Sequence, residues 1–179
     1  MCALSCSLLA GRGVVKHWRG WASPVPPGPS GVASDSMKIP GIEKLVRELS
    51  DDLRTDPSNT TLLYKLGRAC EASGQRQEAL RHFEAIVRLE PEDHESIHAA
   101  GLLHYQLGNI TDAIRELQRA TVLWDEQPDY FADLGDALHS SGEIECARFV
   151  YEKALSLTLP HEEVAARIRL ALGKLPPVM

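Results

Sequence analysis

The chain has 179 residues, 44% of them hydrophobic and 25% charged, with a formal net charge of −6. This is the make-up of one globular domain plus a tail, which excludes a large multidomain enzyme, and the excess of acid excludes a broad basic surface for nucleic acid. No stretch approaches the roughly 20 uninterrupted apolar residues of a membrane-spanning helix. The four cysteines, Cys2, Cys6, Cys70 and Cys146, are too scattered for the disulfide framework of a small secreted domain, which favours a reducing compartment.

Residues 1–38 read as a disordered tail. Up to Ser34 they carry Arg12, Lys16 and Arg19 but no acid, and they include the Pro/Gly/Ser-rich run from Ser23 to Gly31, which cannot form a packed core. A basic, serine-containing, acid-free start is the composition of a mitochondrial transit peptide, so the expected location is mitochondrial or cytoplasmic. Trp18 and Trp21 stand in this tail either as a partner-binding element or without a role. With the tail's three cations set aside, 16 basic residues face 25 acidic ones, so the body of the chain carries about −9.

Residues 39–58 form the first amphipathic element. Ile42, Leu45, Val46, Leu49 and Leu53 make one apolar stripe that stops at Asp56-Pro57, which predicts a capping helix. Three units of 34 residues follow, at 60–93, 94–127 and 128–161. Gly67, Gly101 and Gly135 recur at that period, as do Gly74, Gly108 and Gly142, then Ala79, Ala113 and Ala147, then Leu89, Leu123 and Leu157. Within each unit the apolar residues fall at helical spacing on either side of a short turn, so each unit is a helical hairpin. A glycine inside an exposed helix costs about 1 kcal/mol relative to alanine, so its recurrence at 67, 101 and 135 needs a reason. Close approach of the partner helix through the small Ala79, Ala113 or Ala147 supplies one. A final helix is predicted over 162–175, with Val164, Ile168 and Leu172 on one face and Gly173 and Pro176 as stop signals. Eight helices are expected, the outer two covering the ends of the array.

Leu66-Gly67, Ala79, Phe83 and Pro91 in the first unit, with Leu134-Gly135, Ala147, Tyr151 and Ala154 in the third, resemble the signature of tetratricopeptide repeats. The resemblance implies an all-α, right-handed superhelical solenoid of three hairpins whose first helices line a concave groove. It also implies a non-enzymatic adaptor or scaffold, without cofactor, that holds a peptide or a helix there. Groove positions carried over from the family are Thr61, Tyr64, Lys65, Arg68 and Glu71, then Glu95, His98, Ala99, Leu102 and Tyr105, then Asp129, Ala132, Asp133, Asp136 and His139. Two cations at one end and three carboxylates at the other predict a protein ligand with basic and apolar side chains. The heat-shock co-chaperones of this family clamp a carboxylate with five polar residues, mostly cationic. The matching places here are Tyr64, Arg68, Ala99, Asp129 and Asp133, and two anions where cations are needed argue against that role.

A different class of function is raised by His94-Glu95-Ser96-Ile97-His98-Ala99-Ala100-Gly101-Leu102-Leu103-His104, which matches the HExxHxxGxxH zinc signature of metzincin peptidases. In that family the glycine breaks the helix so that the third histidine returns to the metal. Gly101 is also the repeat glycine, however, and in a continuous helix His104 lies about 9 Å along the axis from His98, too far to share a tetrahedral ion. The expectation is therefore no catalytic residue and no metal site, with His94 and His98 the residual metal candidates. A further alternative is a short form or fragment of a larger enzyme with such repeats, against which the stop signals after Leu172 argue.

Overall fold

The computed structural model describes residues 41–158 and 162–176, which form eight helices and no strand. They are α1 (Ile42–Thr55), α2 (Thr60–Ala72), α3 (Arg76–Leu89), α4 (His94–Gln106), α5 (Ile110–Leu123), α6 (Pro128–Ser141), α7 (Ile144–Leu157) and α8 (Glu162–Lys174). The basic tail, with Trp18 and Trp21, lies outside the described residues.

The punctuation of the helices repeats with the sequence. Between the two helices of each hairpin stands a glycine in the left-handed region, with φ of 80° at Gly74, 82° at Gly108 and 85° at Gly142, a conformation that strains any residue with a Cβ. At all three turns two backbone N–H groups return to the end of the first helix: Gly74 and Gln75 to the carbonyls of Glu71 and Cys70, with the same pair one and two periods later. Between hairpins the gap from Leu89 to His94 equals that from Leu123 to Pro128, although only the first holds the family's proline, Pro91. Asn59 caps α2 by accepting the Leu62 N–H at 3.1 Å. Gly173, read as a stop signal, lies inside α8, which runs one residue further.

Each helix packs on its chain neighbours, and α4 and α6, then α6 and α8, also touch across one face. The result is an all-α solenoid whose alternate helices form a continuous wall. Ala79, Ala113 and Ala147 are wholly buried, as are Phe83 and Leu117, with Tyr151 nearly so. Burying each large side chain contributes about 1.5–3 kcal/mol, which is where the array gets its cohesion.

The glycines have a different partner from the one expected. A Cβ at Gly67 would lie 3.0 Å from the Phe83 ring, at Gly101 2.8 Å from Leu117 Cγ, and at Gly135 2.5 Å from the Tyr151 ring. The small alanines let the helices approach. The large side chain four residues later then fills the notch that the glycine leaves. At Gly101 the filler is an aliphatic leucine, and there the Leu117 backbone nitrogen itself comes within 3.2 Å of the Cβ position.

Candidate functional site: the wall of first helices

The wall is made by α2, α4, α6 and, beyond the expected three, α8. At its α2 end Tyr64 meets the Phe83 ring edge-on at 5.7 Å. Thr61, Tyr64 and Lys65 border a cleft of about 280 Å³ that Asp93 also lines. Lys65 is exposed, but Arg68 is bound to Glu71 on its own helix at 2.6 Å. One of the two cations at this end is therefore largely neutralised.

The centre is aromatic. His98 stacks on Tyr130 with centroids 4.1 Å apart, and His94 stacks on Trp124 at 4.8 Å. His94 Nδ1 is 3.0 Å from the Tyr130 hydroxyl, so the stacks join into a ladder of Trp124, His94, Tyr130 and His98. Burial, with smaller contributions from the Glu95 and Asp93 charges, pushes the Tyr130 phenol up to about 12, so it remains a neutral hydroxyl. Leu102 and Tyr105 are half-buried further along, and the Tyr105 hydroxyl is 2.9 Å from Ser140 Oγ. Glu95 is exposed.

At the acidic end the three carboxylates have different situations. Asp133, 12% exposed, binds His98 Nε2 through one oxygen and Arg167 of α8 through the other, both at 2.8 Å. Burial alone lowers the affinity of Arg167 for its proton, but the Asp133 charge and hydrogen bond outweigh this and the guanidinium titrates above its ordinary value. Asp136 accepts the hydroxyl proton of Tyr151, while burial raises its pKa above the ordinary carboxylate value. Asp129 is half-buried and makes no hydrogen bond or ion pair among the described residues, and His139 is half-buried beside the cluster. The three carboxylates expected together at this end are thus not equivalent. Asp133 and Asp136 hold the array together, and Asp129 is the acid with no such duty.

α4 is unbroken from His94 to Gln106, so Gly101 does not return His104 to the other histidines. His104 is buried on the opposite side, 3.6 Å from Glu84 and 3.5 Å from Asn109. Among the described residues no group of three or more His, Cys, Asp or Glu is placed to hold a metal ion. His94 and His98, the residual candidates, turn their bonded nitrogens to Tyr130 and Asp133. Cys70 is buried; desolvation and then the Glu78 charge raise its thiol pKa, leaving a poor nucleophile.

Arg167 and Leu170 were not among the sequence candidates. They stand 34 residues after Asp133 and Asp136, so extending the repeat columns into α8 finds both. Leu170 is 64% exposed, an apolar addition to the wall.

Profiles described as tetratricopeptide repeat match residues 60–93 and 98–158, over half of the chain. The chain belongs to the tetratricopeptide repeat family. Among solved structures, the crystal structure of MamA is similar at 27% identity and a TM-score of 0.68, with 74% of this chain and 77% of that one covered. YrrB, described as a TPR protein with an unusual peptide-binding site, aligns at 20% identity and a TM-score of 0.63 over 74% of this chain and 68% of that one. The Yersinia enterocolitica type III secretion chaperone SycD, solved with a peptide of the translocator YopD, aligns at 22% identity and a TM-score of 0.60 over 62% and 87%. A search of curated proteins finds no match. No helix among the described residues is long and apolar enough to cross a membrane.

Proposed function

We propose that this repeat protein is a non-enzymatic interaction module, an adaptor or assembly factor, that holds an extended peptide or a helix against the wall of α2, α4, α6 and α8. The observation that carries the reading is the division of labour along the wall. Arg68, His98, Asp133 and Asp136 are paired within the chain, whereas Lys65, Glu95 and Leu170 are exposed, and Leu102, Tyr105 and Asp129 half-exposed, along the same helices. Solved relatives with the same fold, YrrB and SycD, are described with peptide-binding or peptide-bound sites, which supports the analogy.

The ligand that fits has an apolar side chain against Leu102, Tyr105 and Leu170 and a basic one toward Asp129 and Glu95. Asp129 and Asp133 still stand where a carboxylate clamp needs cations, so a heat-shock C-terminal peptide is disfavoured. A peptide array read with purified protein tests this. Binding should select sequences that pair arginine or lysine with leucine, isoleucine or phenylalanine, and Asp129→Lys should weaken their retention. Selection of acidic C-terminal peptides, or indifference to Asp129→Lys together with Leu102→Glu, would overturn the reading.

A further inference from the structure

Two repeat columns face the junctions between second helices at the back of the array, and at two of the three junctions large side chains occupy them. At the junction of α3 with α5 the filler is His104, which reaches Glu84 at 3.6 Å. One period later the same two columns hold Leu138, which is buried, and Gln118. One period earlier, where α1 meets α3, they hold Cys70 and Ser50, two of the smallest choices available. What remains there is an open cleft of about 380 Å³. Its apolar lining includes Val46, Leu53, Leu66 and Cys70, and Gln75, Glu78 and His82 offer polar atoms beside them.

Protein interiors are normally close-packed, so a junction under-filled where its siblings are filled calls for an occupant. The shape calls for a large apolar group with one hydrogen-bond donor, which describes an indole. The chain has two tryptophans outside the described residues, Trp18 and Trp21, and the body's remaining one, Trp124, is committed to His94. The segment bearing them joins the array at Gly41, at the head of α1, and α1 is one wall of the cleft. Twenty residues separate Trp21 from Gly41, a reach of up to about 66 Å at 3.3 Å per residue, against about 21 Å for the whole of α1. A tether of this size gives a local concentration on the order of millimolar, so a weak intrinsic affinity suffices. Charge favours the same docking. Lys16 and Arg19 flank the tryptophans and the segment has no acid before Asp35; the exposed side of α1 carries Glu43, Glu48, Asp51 and Asp52 against Lys44, Arg47 and Arg54, and with Glu48 paired to Lys44 at 3.5 Å the carboxylates of Glu43 and Asp52 are those open to the segment. Arg54, the cation at the cleft, is paired with Asp51 at 3.1 Å.

We propose that the cleft between α1, α2 and α3 is the docking site of this chain's own Trp18–Trp21 segment, with one indole seated against Cys70 and Leu53. The basic segment then lies along α1, on the back of the array and away from the wall of first helices.

The test uses the full chain carrying Trp124→Phe, so that tryptophan emission reports on Trp18 and Trp21 alone. The expected emission is blue-shifted relative to the denatured protein and protected from iodide quenching. The fillers of the next junction are then grafted in as Ser50→Glu with Cys70→His. The graft should return the emission to the solvent-exposed value while the far-UV spectrum and cooperative melting persist. As a readout immune to misfolding of the graft, Trp18→Leu with Trp21→Leu should move the methyl resonances of Val46, Leu53 and Leu66 in an otherwise unchanged spectrum. Solvent-like emission in the parent, a blue shift that survives a folded graft, or unmoved methyl resonances would each overturn the proposal. A blue shift that disappears on dilution would assign the cleft to the segment of a second copy, overturning docking within one chain.

Discussion

Gly135→Ala adds a single methyl group, and its effect can be worked from the geometry. Alanine is favoured over glycine by about 1 kcal/mol in a helix interior, so the substitution stabilises α6 if the site has room. It has none. The new Cβ lies 2.5, 2.7 and 2.9 Å from three atoms of the Tyr151 ring, which is 1% exposed and tied through its hydroxyl to Asp136. Overpacking of this kind costs about 1–3 kcal/mol, and the tether places this site in the upper part of that range. The net expectation is a loss of about 1–2 kcal/mol, or a drop in Tm of roughly 2–8 °C for a chain of this size. At Gly67 the nearest atoms are at 3.0 Å, on the Phe83 ring. There the clash and the helix-propensity gain offset each other to within about 0.5 kcal/mol. Urea titration followed by far-UV circular dichroism measures both, with an unchanged m-value as the control for the unfolding transition. If Gly135→Ala proves as stable as the parent, or less harmful than Gly67→Ala, the steric account of the recurrent glycine is wrong.

Asp133→Asn removes the charge that binds both His98 and Arg167 and should cost about 1–3 kcal/mol, whereas Asp129→Asn should stay within about 0.5 kcal/mol, as chemical denaturation will show. For Asp136 the folded-state pKa lies above the unfolded one, so the folded state binds the proton more tightly and stability falls as pH rises from about 3.8 through the raised value. Asp136→Asn cannot titrate, and its stability relative to the parent should therefore improve across that window in urea titrations between pH 3 and pH 7. Protein purified without an affinity tag should show no stoichiometric zinc by elemental analysis, and Glu95→Gln should leave a peptidase assay at its background; stoichiometric zinc with activity lost on Glu95→Gln would restore the peptidase reading.

The family and the helical hairpins of the described residues were legible because they depend on local rules. A 34-residue period, apolar residues at helical spacing and a glycine at each turn act within a few residues of where they are read. The separation of His104 from His98 was legible for the same reason, since a continuous helix fixes it whatever surrounds it.

Side-chain partnerships across the array were not legible. The row Asp129, Asp133 and Asp136 reads as three equivalent acids, but α8 brings Arg167 to Asp133, and the hairpin brings Tyr151 to Asp136. Burial and pairing are properties of the neighbours that a residue meets, and those neighbours lie on other helices. The same holds for the recurrent glycine, whose existence is a sequence fact and whose true partner, Phe83, Leu117 or Tyr151, is fixed by how the two helices of a hairpin register against each other. The sequence by itself thus determined the repeat, its turns and the acidic balance of the body. Only the tertiary structure decided which of those charges and cavities are already satisfied, because satisfaction is a matter of distance between residues that the period places 15 to 35 positions apart.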